Sequence, residues 1–184
     1  MTYPWTAGDV LQASDLNSSF GMVLIDSSVY STAATHNVDL LSGFDNYKLV
    51  MSNIIDLSGG VAVYLRGRYG GTTYSGLTHT YAFVGLTAGG STSNTSSSAD
   101  TKCYSGISVS GGDYSAGVLD LIGWNDASQS TKIFQASSYQ YAGGFRTRYG
   151  GGAFTLAQDV DGIQILSTTS SQFSFKMEIY GYNS

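Results

Sequence analysis

One cysteine, two histidines, one glutamate and no long apolar run occur in 184 residues, and each scarcity removes a class of protein. A single thiol, Cys103, cannot close an intramolecular disulfide, which excludes a small disulfide-stapled secreted fold. Its ordinary role is that of a small buried apolar side chain. His36 and His79 stand alone, with no HxH or HxxxH partner. Zinc and iron sites gather three or four ligands, so neither a metal nor any other cofactor is expected. Nothing approaches the roughly 18 apolar residues of a membrane span. Met1-Thr-Tyr-Pro also lacks the basic start and apolar core of a signal peptide. The expectation is a protein made in a cytoplasm and not inserted into a membrane.

Charge is scarce too. Only 11% of residues are charged, with eight Lys+Arg against thirteen Asp+Glu and a net charge of −5. No basic cluster is present to track a phosphate backbone, so nucleic acid is not an expected partner. Every acid but Glu178 is Asp, and Asp favours turns where Glu favours helices. What the chain has in quantity is Gly (24) and Tyr (14), along with many Ser and Thr. Low charge with many aromatics is the opposite of a disordered composition and fits a rigid β-protein with a hydroxyl-rich surface.

The clearest periodicity is at the end. Phe173, Phe175, Met177 and Ile179 alternate with Ser174, Lys176, Glu178 and Tyr180, a period of two that predicts a half-buried antiparallel strand. Tyr47/Leu49/Met51, Val61/Val63/Leu65, Tyr81/Phe83, Ile107/Val109, Leu119/Leu121 and Ile163/Ile165 repeat the pattern. Residues 22–30, 36–41 and 131–139 are further candidates. About ten short strands separated by Gly- and Ser-rich turns, with no helical period between them, predict an all-β antiparallel sandwich of jelly-roll type. Residues 87–101, rich in Ser and Thr, read as one long low-complexity loop, either mobile or covered by a neighbour.

Residues 1–20 read differently from the 21–184 body. Asp9 and Gln12 have capping-box spacing, and Leu16 and Phe20 lie four apart on one helical face. So short a helix is marginal alone in water, so Trp5, Leu11, Leu16 and Phe20 must pack against something. The favoured reading is an anchor onto another subunit, rather than a segment folded on its own body.

Catalytic signatures are not found. There is no Gly-x-Ser-x-Gly elbow and no phosphate loop, and Asp159 and Asp161 read as turn residues rather than a glycosidase pair. An enzyme is not expected. One motif does repeat: Arg66-Gly-Arg68-Tyr69-Gly-Gly and Arg146-Thr-Arg148-Tyr149-Gly-Gly hold half of all Lys+Arg. Strand alternation puts both arginines of each copy on one face, with Tyr-Gly-Gly expected to turn the chain directly afterwards. Arginine forks grip carboxylates and stack on aromatic rings. These residues are therefore candidates for subunit contacts through Asp or for capture of an acidic glycan. The third reading is solvated arginine stems covering apolar surface.

Two sets of residues carry a resemblance. The opening Trp5-Thr-Ala-Gly-Asp-Val-Leu-Gln-Ala-Ser-Asp-Leu-Asn is similar to a segment that begins many tail-fibre and related particle proteins of tailed bacteriophages. Phe44-Asp-Asn-Tyr-Lys-Leu-Val, Leu65-Arg66, Lys132-Ile-Phe and Glu178-Ile-Tyr-Gly resemble spaced elements of a phage jelly-roll domain. The resemblance implies a trimeric, non-catalytic virion protein held on the particle by its N-terminus. Its partners would be capsid or tail proteins, and host surface glycan is a further candidate. Phe20 leads straight into the first strand with no shaft, which favours a short fibre, knob or capsid decoration over a long fibre. The alternatives are a capsid cement protein without a role in host recognition and a soluble carbohydrate-binding β-sandwich module.

Overall fold

The closing alternation is a ten-residue strand, Phe173–Tyr182, in which buried and half-buried residues alternate throughout. Phe173, Phe175, Met177 and Ile179 face the core. On the opposite face Lys176 Nζ meets Glu178 Oε1 at 2.7 Å, and the Tyr180 hydroxyl donates to Glu178 Oε2 at 3.0 Å. The structure is a computed structural model. It describes residues 21–183 apart from 41–42, 57–59, 74–78, 110–112, 125–129, 142–143, 155–159 and 168–170. The expected helical anchor, with Trp5, Leu11, Leu16 and Phe20, lies outside the described residues.

In chain order the strands are β1 Val23–Ala33, β2 Thr35–Asp39, β3 Asn46–Asp56, β4 Val61–Tyr69, β5 Thr72–Thr73, β6 His79–Thr87, β7 Thr92–Asp100, β8 Cys103–Val109, β9 Ser115–Ile122, β10 Thr131–Tyr141, β11 Gly144–Phe154, β12 Gly162–Ser167 and β13 Phe173–Tyr182. Eight of them frame a jelly roll, with β1-β13-β3-β9 in one sheet and β2-β12-β4-β8 in the other. β1 pairs with β13, β2 with β12, β3 with β9 and β4 with β8, all antiparallel. The frame thus matches its first strand with its last and works inward, as one long hairpin does when wrapped on itself. The all-β antiparallel jelly-roll sandwich read from the sequence is the fold.

Two hairpins are added to that frame. β6–β7 is inserted between β4 and β8, and β10–β11 between β9 and β12. They extend the larger sheet beyond β9 in the order β10-β11-β6-β7, so eight strands face five. Leu49, Met51, Leu119 and Leu121 of the larger sheet and Val63, Leu65, Ile107, Ile163 and Ile165 of the smaller are all fully buried. Each such side chain contributes about 1.5–3 kcal/mol through removal from water.

Two expectations are corrected. Residues 87–101 are not a long loop: Thr92–Asp100 is β7, paired with β6 from Leu86 opposite Thr92 to His79 opposite Asp100. Only a tight turn joins them, closed by Gly90 N donating to Thr87 O at 2.9 Å with Gly90 at φ +79°. β7 edges the sheet and most of its residues are exposed, so no apolar alternation marks it. Second, Tyr-Gly-Gly turns the chain after Arg68, where Gly70 and Gly71 have φ +55° and +76°, but not after Arg148. There β11 runs straight on through Gly150, Gly151 and Gly152 to Phe154.

His36 is buried in β2 among Tyr30, Phe173 and Phe175, with Nε2 3.1 Å from the Phe173 carbonyl oxygen. Burial holds its imidazole below the ordinary value, outweighing the opposing pull of the Phe173 and Ala33 carbonyls. Its contribution to stability is therefore full above the unfolded value of about 6.5 and is lost as pH falls through the lower folded value. The thermal midpoint should drop between pH 7 and pH 5, and drop less in His36→Gln. Parallel pH profiles for the two proteins would refute this.

Candidate functional site

Strand alternation divides the second arginine motif between two surfaces. Arg146 and Arg148 point to the inner side of β11, as do Gly150 and Gly152, whereas Phe145, Thr147 and Tyr149 point outward. The inner side of this added region meets β8, the last strand of the smaller sheet's frame. Between them lies a cleft of about 370 Å³ lined by Ala62, Tyr64, Thr95, Tyr104, Ser108, Tyr139, Arg146 and Arg148.

Arg148 is the centre of this cleft. Its guanidinium carbon lies 5.1 Å from the ring centre of Tyr104 and 5.0 Å from that of Tyr139. Such cation–π contacts are worth about 0.5–2 kcal/mol each, depending on how much water is excluded. Nη1 donates to Ser108 Oγ at 3.1 Å, and Ser108 Oγ lies 2.7 Å from the Tyr104 hydroxyl. Tyr104 is in turn braced by Tyr64, with ring centres 5.1 Å apart, and by Phe83 at 5.6 Å. Burial draws the Arg148 guanidinium below its ordinary value, with the Tyr64 charge opposing, and it remains a cation at neutral pH.

The first copy of the motif is engaged within the chain. Arg66 and Arg68 lie on the outer face of the smaller sheet. Arg66 Nε donates to the Thr101 carbonyl at 2.9 Å and Nη1 to Gln164 Oε1 at 3.4 Å. Arg68 Nη1 pairs with Asp39, reaching across β12 at Gly162, where an added Cβ would strike the Val38 carbonyl oxygen and touch the guanidinium. The Asp expected to receive Arg68 thus belongs to the same chain. Asp39 is largely exposed, so the pair is worth under about 1 kcal/mol. Tyr69 ends β4 with its ring half exposed, away from Arg146 and Arg148.

Tyr149 belongs to another surface. On the outer face of β10, β11 and β6 it stands 56% exposed opposite Val84, which is 49% exposed, and Phe134 is 54% exposed opposite Gly151. Among the described residues of this face charge resumes at Lys132, two places before Phe134 on β10, and at Asp120 on β9, opposite Phe134 and paired with Lys48 at 2.6 Å.

The remaining reactive groups are occupied with structure. Cys103 is fully buried, and burial pushes its thiol up to about 12, far from the thiolate a nucleophile needs. Tyr81 is likewise pushed up to about 12 by burial and then by the charge of Asp100, whose Oδ2 accepts its hydroxyl at 3.3 Å. Among the described residues no three His, Cys, Asp or Glu side chains converge. Asp161 Oδ2 accepts the Gly70 amide at 2.7 Å, a turn role, and Asp159 lies outside the described residues.

Tyr64, Tyr104, Ser108 and Tyr139 are site residues that sequence reasoning did not single out. Tyr139 follows Ile133, Gln135 and Ser137 at period two, a signal that places it on the inner face. Its meeting with Arg148 depends on β10 pairing with β11. No family model matches the chain, and no curated protein matches it in sequence.

Proposed function

We propose that this chain is a non-enzymatic structural protein of a tailed-bacteriophage particle: a short fibre, knob or capsid decoration, assembled as a homotrimer. Residues 1–20 attach it to capsid or tail proteins, and the jelly roll is the displayed part. The observation that carries this reading is the division of the molecule. A complete eight-strand jelly-roll frame has its core closed between two sheets, while the added hairpins expose Val84, Leu86, Phe134, Phe145 and Tyr149 on their outer face and line a cleft with tyrosines. The resemblance of the opening segment to phage attachment segments supports the first half of the reading. The apolar face supports the second, since interfaces favour aromatics and are depleted in Lys and Glu. The copies that cover it are other subunits of the same chain.

Deleting residues 1–20 tests the assignment. The truncated protein should keep its β-sheet circular dichroism and cooperative melting but be missing from purified particles by mass spectrometry. Incorporation at the level of the full chain would end the anchor reading. A soluble carbohydrate-binding module is the second reading, favoured by the cleft itself. A full-length chain that never enters particles yet binds glycan would select it.

A further inference from the structure

Arg148 has an unused binding capacity. A guanidinium offers five N–H donors, and among the described residues its one hydrogen bond is to Ser108 Oγ. Among the described residues no carboxylate pairs with it, in a chain with thirteen acids and only eight Lys+Arg. Taking a cation partly out of water without an anion is costly, and two tyrosine rings return only part of that cost. Arg68 shows the other outcome in the same chain, an arginine already paired with Asp39.

The surroundings narrow the missing anion. The guanidinium carbon sits about 5 Å from the ring centres of both Tyr104 and Tyr139, and its donors share the one plane that suits a carboxylate. Ser108, Thr95 and Tyr64 line the same space with hydroxyl groups and aromatic edges, and Arg146 adds a second cation. The volume of about 370 Å³ lies at the small end of the ~300–1,000 Å³ typical of ligand sites.

We propose that the cleft between β8 and the β10–β11 hairpin binds an acidic sugar, with Arg148 gripping the sugar carboxylate and the surrounding Tyr, Ser and Thr hydroxyls meeting the ring hydroxyls. The inference rests on the reading of the jelly roll as a displayed, non-catalytic surface. It adds the class of glycan that surface recognises, a uronic or sialic acid residue. The protein carries a net charge of −5, so the cations at the cleft, Arg148 and Arg146 with Lys102 over the Tyr64 ring at 4.6 Å, act locally, and a polyanion such as nucleic acid meets no extended positive field.

The test uses the isolated full-length protein, so failure of particle attachment and failure of sugar binding are separate results. Methyl glucuronide, N-acetylneuraminic acid and methyl glucoside are titrated while tyrosine ring resonances are followed by NMR. At least one acidic sugar should bind saturably with shifts at Tyr104 and Tyr139, and methyl glucoside should not. Arg148→Gln should weaken binding by about tenfold or more, the loss of a charge-assisted contact, and Arg148→Lys by less. If Arg148→Gln fails to fold, Ala62→Glu supplies a competing carboxylate at the cleft wall and should have the same effect. Absence of saturable binding by either acidic sugar at tens of millimolar overturns the proposal. So does acetate binding as tightly as the sugar acids, which leaves a simple anion site. Unaltered sugar binding in Arg148→Gln overturns it as well, as does a variant that changes only the oligomeric mass, because the arginine then serves a subunit contact.

Discussion

Valine at Gly150 should destabilise the protein by about 3 kcal/mol or more, whereas asparagine at Gly71, in the Gly-Gly pair of the first motif, should be nearly silent. Both glycines belong to the Gly-Gly pair that closes an Arg-x-Arg-Tyr-Gly-Gly motif, and their surroundings are opposite. A Cβ on Gly150 would strike the carbonyl oxygen of Ala82 and the ring and Cα of Phe83, and one on Gly152 would strike the Thr80 carbonyl and Cys103 Sγ. These obstacles are mainly backbone of the adjacent strand β6, which cannot swing aside as a long side chain can. Relief requires β11 to separate from β6, and with it the inner face that positions Arg148. Gly71 has nothing within 4 Å of such an atom, and only its φ of +76° resists substitution. Asparagine tolerates that region; alanine there should cost about 1–2 kcal/mol. Thermal melts should show a fall of roughly 6–12 °C for Gly150→Val and almost none for Gly71→Asn. Equal effects at the two sites would mean that the glycines do not differ as described.

The same pair explains where sequence reading succeeded and where it stopped. β13 was legible because one of its faces is wholly apolar and the other polar, so period two is written in the residue types. β3, β4, β9 and β12 were legible for the same reason, and together with β13 they carry most of the frame, which is why a jelly roll could be anticipated. β7 leaves no such mark, because an edge strand exposed along most of its length has no apolar set to display. β11 was hidden by its glycines. Three in a row signal a turn on local chemistry, yet here they answer a tertiary demand for backbone contact on β6 and β10. The cleft inherits both omissions. Arg146 and Arg148 could be picked out by composition, but their walls come from β4, β7, β8 and β10, and Tyr149 could be moved to the opposite surface only once β11 was known to be a continuous strand.

Glutamate at both Val84 and Tyr149 should convert an oligomer into monomers without unfolding it. The two side chains stand opposite each other on adjacent strands, half exposed, in a stretch of sheet where no charge intervenes before Lys132 and Asp120. In the free subunit the new carboxylates remain in water, so the melting temperature should hardly move. In an assembled interface they would be stripped of water beside one another and near Phe134, and the outward cation of these strands, Lys132, lies four places along β10 from Ala136, the residue opposite Tyr149. An unpaired charge at a buried contact costs about 2–5 kcal/mol, more than tenfold in the dissociation constant at each interface. Light scattering at micromolar concentration should give a multiple of 19.4 kDa for the wild-type chain, three in the proposed trimer, and the single-chain mass for the variant. Thr35→Glu, exposed on the smaller sheet, adds a charge elsewhere and should leave the mass unchanged. A wild-type chain that is monomeric at that concentration, or a double variant that keeps the wild-type mass, would remove this face from the assembly and leave residues 1–20 as the attachment still to be tested.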